Sequence, residues 1–193
     1  MKAVLVLVAL AGVAHADPAV DPAVDPNAQA SGSEANLESI APRDGVTYAG
    51  SIGGGMIISQ GKSAAVPTLD LRLGHVATPT TIITLELVGG TYAHKEATMG
   101  STRIDTQTSL LVGAQVYIAP SVWLRGGVGL GSHNTDDGTG LTPHGGLSGI
   151  FGAGIDLVRW HYWVLGLEGF VNGTFAKGGY TSLGGMGFGL AHY

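Results

Sequence analysis

The sequence predicts an all-β protein, an eight-stranded antiparallel transmembrane β-barrel preceded by a disordered N-terminal extension. Three observations predict it. Between Val46 and Tyr193 the chain divides into eight glycine-rich segments whose residues alternate with a period of two. The connections between them alternate as well. Ser59–Ala64, Ala93–Arg103, Gly131–Gly146 and Ala176–Gly179 read as longer and polar, whereas Ala77–Thr80, Ala119–Ser121 and Val158–Tyr162 read as tight. A closed barrel crossing an outer membrane sorts its connections this way, with short turns on one rim and longer loops on the other. Finally, the chain opens on an export signal, and no later segment is apolar for long enough to form a membrane helix. In lipid only helices and closed barrels satisfy every backbone group, so a membrane-embedded chain of this composition must close.

The signal occupies residues 1–16. Lys2 supplies the positive start, Ala3–Val13 the apolar stretch, and Ala14-His15-Ala16 the small-x-small cleavage pattern. Residues 17–45 are a different material. Asp17-Pro-Ala-Val, Asp21-Pro-Ala-Val and Asp25-Pro-Asn-Ala form a short repeat that blocks helix and central-strand pairing, so an extended, solvated periplasmic linker is expected. The linker holds six acids against Arg43 alone, while residues 46–193 hold eight acids and seven bases. The negative charge therefore belongs to the extension. Cysteine is absent, which removes disulfides and thiolate metal sites.

The strands of the barrel, residues 46–193, are expected near Val46–Ile58, Ala65–Val76, Thr81–Tyr92, Ile104–Ile118, Val122–Leu130, Leu147–Leu157, Tyr162–Phe175 and Tyr180–His192. In Leu69-Asp70-Leu71-Arg72-Leu73 the leucines share one face and the charges the other. Ile83, Leu85 and Leu87 alternate with Glu86. Val122, Leu124, Val128 and Leu130 lie opposite Arg125, Ile155 and Leu157 flank Asp156, and Trp163, Leu165 and Leu167 alternate with Glu168. In a soluble sandwich the apolar face would be the core. In a membrane barrel it faces lipid. Both charge signs occur on the polar face, as pairing across a narrow lumen requires, and that face is rich in glycine, which suits a crowded eight-strand interior. The expected lumen ion-pair network is Arg72 and Arg125 with Asp70, Glu86, Asp156 and Glu168. Trp123, Trp160, Tyr162 and Trp163 lie beside short turns, and Tyr92 and Phe175 near the opposite ends, which suggests two interfacial aromatic girdles.

On these features the chain resembles the small bacterial outer-membrane β-barrels typified by the OmpA membrane domain and OmpX. The resemblance covers Val46 to Tyr193 and rests on pattern rather than a rigid motif. It implies outer-membrane lipids as surroundings, both termini in the periplasm, a monomer, and recognition by the barrel-assembly machinery through the final aromatic, Tyr193. Parity departs from that pattern. Tyr193 shares a side with Gly187, Gly189 and Ala191, whereas the bulky set is Met186, Phe188 and Leu190. A bulge, or a last residue outside the ladder, would reconcile them.

Little else suggests chemistry. No phosphate-binding glycine motif occurs, and no nucleic-acid partner, cofactor, metal site or catalytic residue is expected. His133, Asn134, Asp136, Asp137 and His144 read as a solvated outward loop rather than a cation site. Ser132 and His133 are adjacent on a strand and so point to opposite faces, which argues against a hydrolase built with Asp136. The expectation is a non-enzymatic outer-membrane barrel, structural or surface-interacting, its lumen plugged by charged side chains. The alternatives are a conduit for small apolar molecules, a soluble periplasmic ligand-binding barrel, and a lipid-modifying enzyme.

Overall fold

The computed structural model describes residues 43, 45–59, 61–95, 102–136, 141–176 and 179–193. The expected export signal and the extension up to residue 42 lie outside them. Eight antiparallel strands follow in chain order: β1 (Val46–Ser59), β2 (Lys62–Thr78), β3 (Thr81–Lys95), β4 (Thr102–Ala119), β5 (Val122–Asp136), β6 (Leu141–Trp160), β7 (Trp163–Ala176) and β8 (Gly179–His192). Each pairs with its sequence neighbour, and β8 returns to β1 from Ser59↔Thr181 to Tyr48↔His192, closing the barrel.

Closure needs glycine at one seam. Gly53 of β1 and Gly187 of β8 oppose each other. A Cβ on Gly53 would lie 2.6 Å from the Gly187 Cα, closer than any side chain tolerates. The two strands therefore approach only because neither position has a side chain.

The facing of the residues is that of a membrane barrel. Leu85 and Leu87 are 46% and 42% exposed, while Glu86 between them is 0% exposed. Ile52, Leu69, Leu73, Val128, Leu147, Phe151, Val171 and Phe188 also point outward, and they form an apolar outer belt. The buried core sits inside the barrel.

The terminal rim is the one where β1 begins, β8 ends and the turns at 79–80, 120–121 and 161–162 lie; the distal rim is its opposite. Three expected distal loops are shorter than the sequence suggested. Ser59 pairs with Lys62, so the Ser59–Ala64 loop is a two-residue turn around Gly61, whose φ of 77° suits glycine. Pairing runs through Lys95↔Thr102 in place of much of Ala93–Arg103. It also continues through His133↔His144 to Asp136↔Leu141, so most of the Gly131–Gly146 loop is strand. A ladder needs only backbone groups, and above the apolar belt polar residues such as Thr91, Thr106, Ser132 and Asn134 carry the alternation onward. Longer distal connections thus remain only at 96–101 and 137–140.

At the terminal rim one arrangement occurs four times. The backbone N–H of Val76, Tyr117, Asp156 and Tyr193 donates to the carbonyl of Gly45, Thr80, Ser121 and Tyr162, respectively, at 2.7–3.0 Å. The first three each precede a register shift, at Val76/Thr78, Tyr117/Ala119 and Asp156/Val158. Tyr193 is therefore the fourth member of a set of residues on the inward parity at the foot of even-numbered strands. This resolves its parity. The register of β8 is unbroken on both sides, so no bulge is needed.

Candidate functional site in the barrel lumen

The lumen is filled in layers. At the terminal end Ile82, Tyr117 and Trp123 form a buried cluster, with Val76 and Tyr193 packed against it. Next come the charges. Arg72, on β2, pairs through Nη2 with Glu168 of β7, lies 3.8 Å through Nε from Asp70, and donates from Nη1 to Gln115 Oε1 at 3.1 Å. Arg125, on β5, pairs through Nη1 with Asp70 and with Glu86 Oε2 (3.3 Å), and its Nη2 lies 3.8 Å from Glu168 Oε1. Ser51 donates to Glu168, and Thr84 donates to Glu86 at 2.8 Å. These side chains come from six different strands because inward parity aims each at the axis. Gly152 makes room for Arg125, since a Cβ there would fall 2.8 Å from the guanidinium Nε.

Asp156 does not join this network. It lies 2.8 Å from Arg159 Nη2 and 3.6 Å from Arg43 Nη2, at the terminal mouth. Its place at the foot of β6, beside the register shift, puts it outside the reach of Arg72 and Arg125.

Beyond the charges lies an apolar septum. Ile57, Val66, Val88, Leu111, Ile150, Phe170 and Leu183 form one buried cluster, a single residue from each of seven strands. On β5 the equivalent space is left by Gly127, whose Cβ would stand 3.3 Å from Ile150 Cγ2. Past the septum a neutral polar layer follows: Gln107 donates to Asn172 Oδ1 at 2.9 Å, as does Ser109, and Asn172 donates to Ser148 Oγ at 3.0 Å. The septum is a feature that parity alone could have located, because Val66, Val88 and Leu111 share the inward side with Asp70, Glu86 and Ser109.

The aromatic residues divide between the two faces. Trp160, Tyr162 and Phe175 are exposed outward, and Trp163 packs outside the barrel against Tyr48 and His192. Trp123 is buried in the lumen, 5.2 Å from the Arg72 guanidinium carbon, and Tyr92 packs against the septum. Both share the parity of a buried charge, Arg125 and Glu86, which outweighs their nearness to a rim. Tyr48, Tyr180 and His192 are outward rings the sequence reading missed. His192 stacks on Tyr48 with centroids 4.7 Å apart, and Tyr180 meets Phe175 at 4.8 Å.

Ser132 and His133 do point to opposite faces. Ser132 donates to Asn134 Oδ1 at 2.7 Å, whereas His133 is buried with its Nε2 3.8 Å from Asp105. The side chain of Asp136 lies outside the described residues. Among those residues no group of three or more His, Asp or Glu could hold a metal ion. Inside, a pocket of about 20 Å³ beside Trp123, Asp156 and Tyr193 has room for about one water.

No known protein family and no curated protein matches the chain. Solved structures do. Neisserial surface protein A superposes with a TM-score of 0.63 at 11% identity, over 77% of this chain and 97% of that one. Ail, the attachment invasion locus protein of Yersinia pestis, matches with a TM-score of 0.56 at 13% identity, over 77% and 99%. A second Ail structure, in complex with the heparin analogue sucrose octasulfate, matches equally. At these identities the likeness speaks for the fold: that of the small eight-stranded outer-membrane barrels.

Proposed function

We propose that this protein is a non-enzymatic outer-membrane β-barrel with a sealed lumen and a structural or surface-contact role. The observation that carries this reading is the inversion of facing, with leucines exposed around buried Glu86, Arg125 and Asp70. An exposed apolar belt of this extent is costly in water and favourable in lipid. A groove of about 640 Å³ on the outer face, lined by Tyr48, Gly50, Leu71, Leu85, Trp163 and Leu190, would take acyl chains. Outer-membrane lipids are then the surroundings, the terminal rim is periplasmic, and the protein works as a monomer. Tyr193 would be read by the assembly machinery before its ring turns into the mouth.

The lumen argues against conduction twice over. The Arg72–Arg125 network fills the axis with side chains paired to one another, and the septum offers an ion no polar ligand. The charge network alone is thus not the plug. The distal segments carry Lys62, Lys95, Arg103 and Lys177 against Glu96, Asp105, Asp136 and Asp137. That balance favours neutral contacts over a polyanion such as the one seen with Ail.

Membrane fractionation with heat-modifiable gel mobility tests the reading. The protein should partition with outer membranes and migrate anomalously until boiled. Recovery in the soluble periplasmic fraction would overturn it and favour a ligand-binding barrel.

A further inference from the structure

Arg43 lies three residues before β1, in a stretch whose composition marks it as linker, yet its side chain is only 8% exposed. The guanidinium carbon stands 3.4 Å from the centroid of the Tyr117 ring and 5.5 Å from that of Tyr193. Nη2 donates to the Pro120 carbonyl at 3.0 Å and lies 3.6 Å from Asp156 Oδ2. Tyr117, Asp156 and Tyr193 are three of the four residues that repeat at the foot of the even-numbered strands. The Tyr117 and Tyr193 hydroxyls are hydrogen-bonded to each other at 2.6 Å, and Asp156 is held by Arg159 at 2.8 Å, so the cage is braced independently of Arg43.

A planar cation over one aromatic face, beside a second, with a carboxylate and a carbonyl at its edge, is a guanidinium-binding arrangement. An ammonium would make the charge contact but would not stack on the ring. We propose that the terminal mouth of the barrel is a guanidinium-binding cage, built from Tyr117, Tyr193, Asp156 and the Pro120 carbonyl. Arg43 fills it in cis, so that the chain entering β1 is latched to the terminal mouth. The latch caps the charged layer from the terminal side. It also joins the two ends of the barrel, since Arg43 precedes β1 and Tyr193 follows β8. With Arg43 withdrawn, the cage would accept another guanidinium group.

Trypsin reads this directly, because it must seat the Arg43 side chain in its own pocket to cut the Arg43–Asp44 bond. The folded, detergent-solubilised protein is digested and the product beginning at Asp44 is followed by mass spectrometry. Cleavage at Arg43 should be slower by at least about tenfold than in the same chain after boiling, because cutting requires the undocked arm. In Asp156→Asn, still heat-modifiable, cleavage should accelerate several-fold. Relative to the boiled chain digested in the same solution, which corrects for occupation of the protease's own pocket, millimolar N-ethylguanidinium should accelerate cleavage of the folded wild type by competing for the cage, and ethylammonium should not. In Arg43→Ala, N-ethylguanidinium should raise the temperature at which the folded band is lost. Cleavage of the folded wild type as fast as of the boiled chain would overturn the proposal. So would equal responses to the two cations. Both results can be read while heat-modifiability remains intact, so failure of the latch is distinct from failure of the membrane reading.

Discussion

At Arg125 two effects oppose each other. Removing a guanidinium from water is costly, and the Arg125 side chain is 0% exposed. Against this stand Asp70, Glu86 and Glu168, all within 4 Å. The balance makes the network sensitive to losing one partner more than to its presence. Arg125→Met should therefore lower the stability of the barrel by about 3–5 kcal/mol, because Glu86 and Asp70 would be left buried with less compensation. Urea titration of the protein refolded in lipid vesicles measures it. A change below about 1 kcal/mol would mean that water solvates the layer. His161 offers the opposite case. It has φ of 50° in the two-residue turn at 161–162, a conformation that costs a side chain with a Cβ. His161→Gly should stabilise by up to about 1 kcal/mol in the same titration.

At the scale of the element, the strands explain what the sequence made legible. Alternation of single residues places Glu86, Arg125 and Leu85 without knowledge of any partner, because a strand has only two faces. The same rule places Trp123 and Tyr92 inside. Grouping aromatics by nearness to a turn obscured it. The extended distal strands were illegible for a different reason. Thr91, Thr106, Ser132 and Asn134 are polar on both readings, and backbone pairing leaves no mark in side-chain chemistry. Nor did any pattern identify Arg43. It is a single residue in a proline-rich stretch, and its partners come from Tyr117, Asp156 and Tyr193, far away in the chain. Asp156 stays out of the network because Arg125 is level with Gly152, two inward positions further up β6, a register that no single strand reveals. One element-level prediction concerns the seam. Gly53→Val would drive a side chain into the backbone of β8, so it should abolish the fast-migrating folded form on unboiled gels while the boiled band persists. Unchanged mobility would show that β1 and β8 separate freely.

For the whole molecule, the layered lumen separates two roles that the sequence had merged. The ion pairs link strands across the lumen, and the septum of Leu183, Phe170, Val88 and their neighbours fills it with apolar side chains. Planar-bilayer recordings should accordingly show no steady openings for the wild type, nor for a Glu86→Gln variant that keeps the septum. A Phe170→Gly, Leu183→Gly pair should raise ion leak measurably. Steady channels in the wild type would instead make the septum mobile. Lipid contact, the proposed seal and the proposed terminal cage all follow from the facing of the side chains. The three tryptophans sample both faces: Trp160 and Trp163 outside, Trp123 within. The most direct measurement is fluorescence quenching by brominated lipids in three variants that each retain one tryptophan, with the other two changed to Phe. Trp160 and Trp163 should be strongly quenched and Trp123 almost not at all. Quenching of Trp123 with the other two unaffected would contradict that facing.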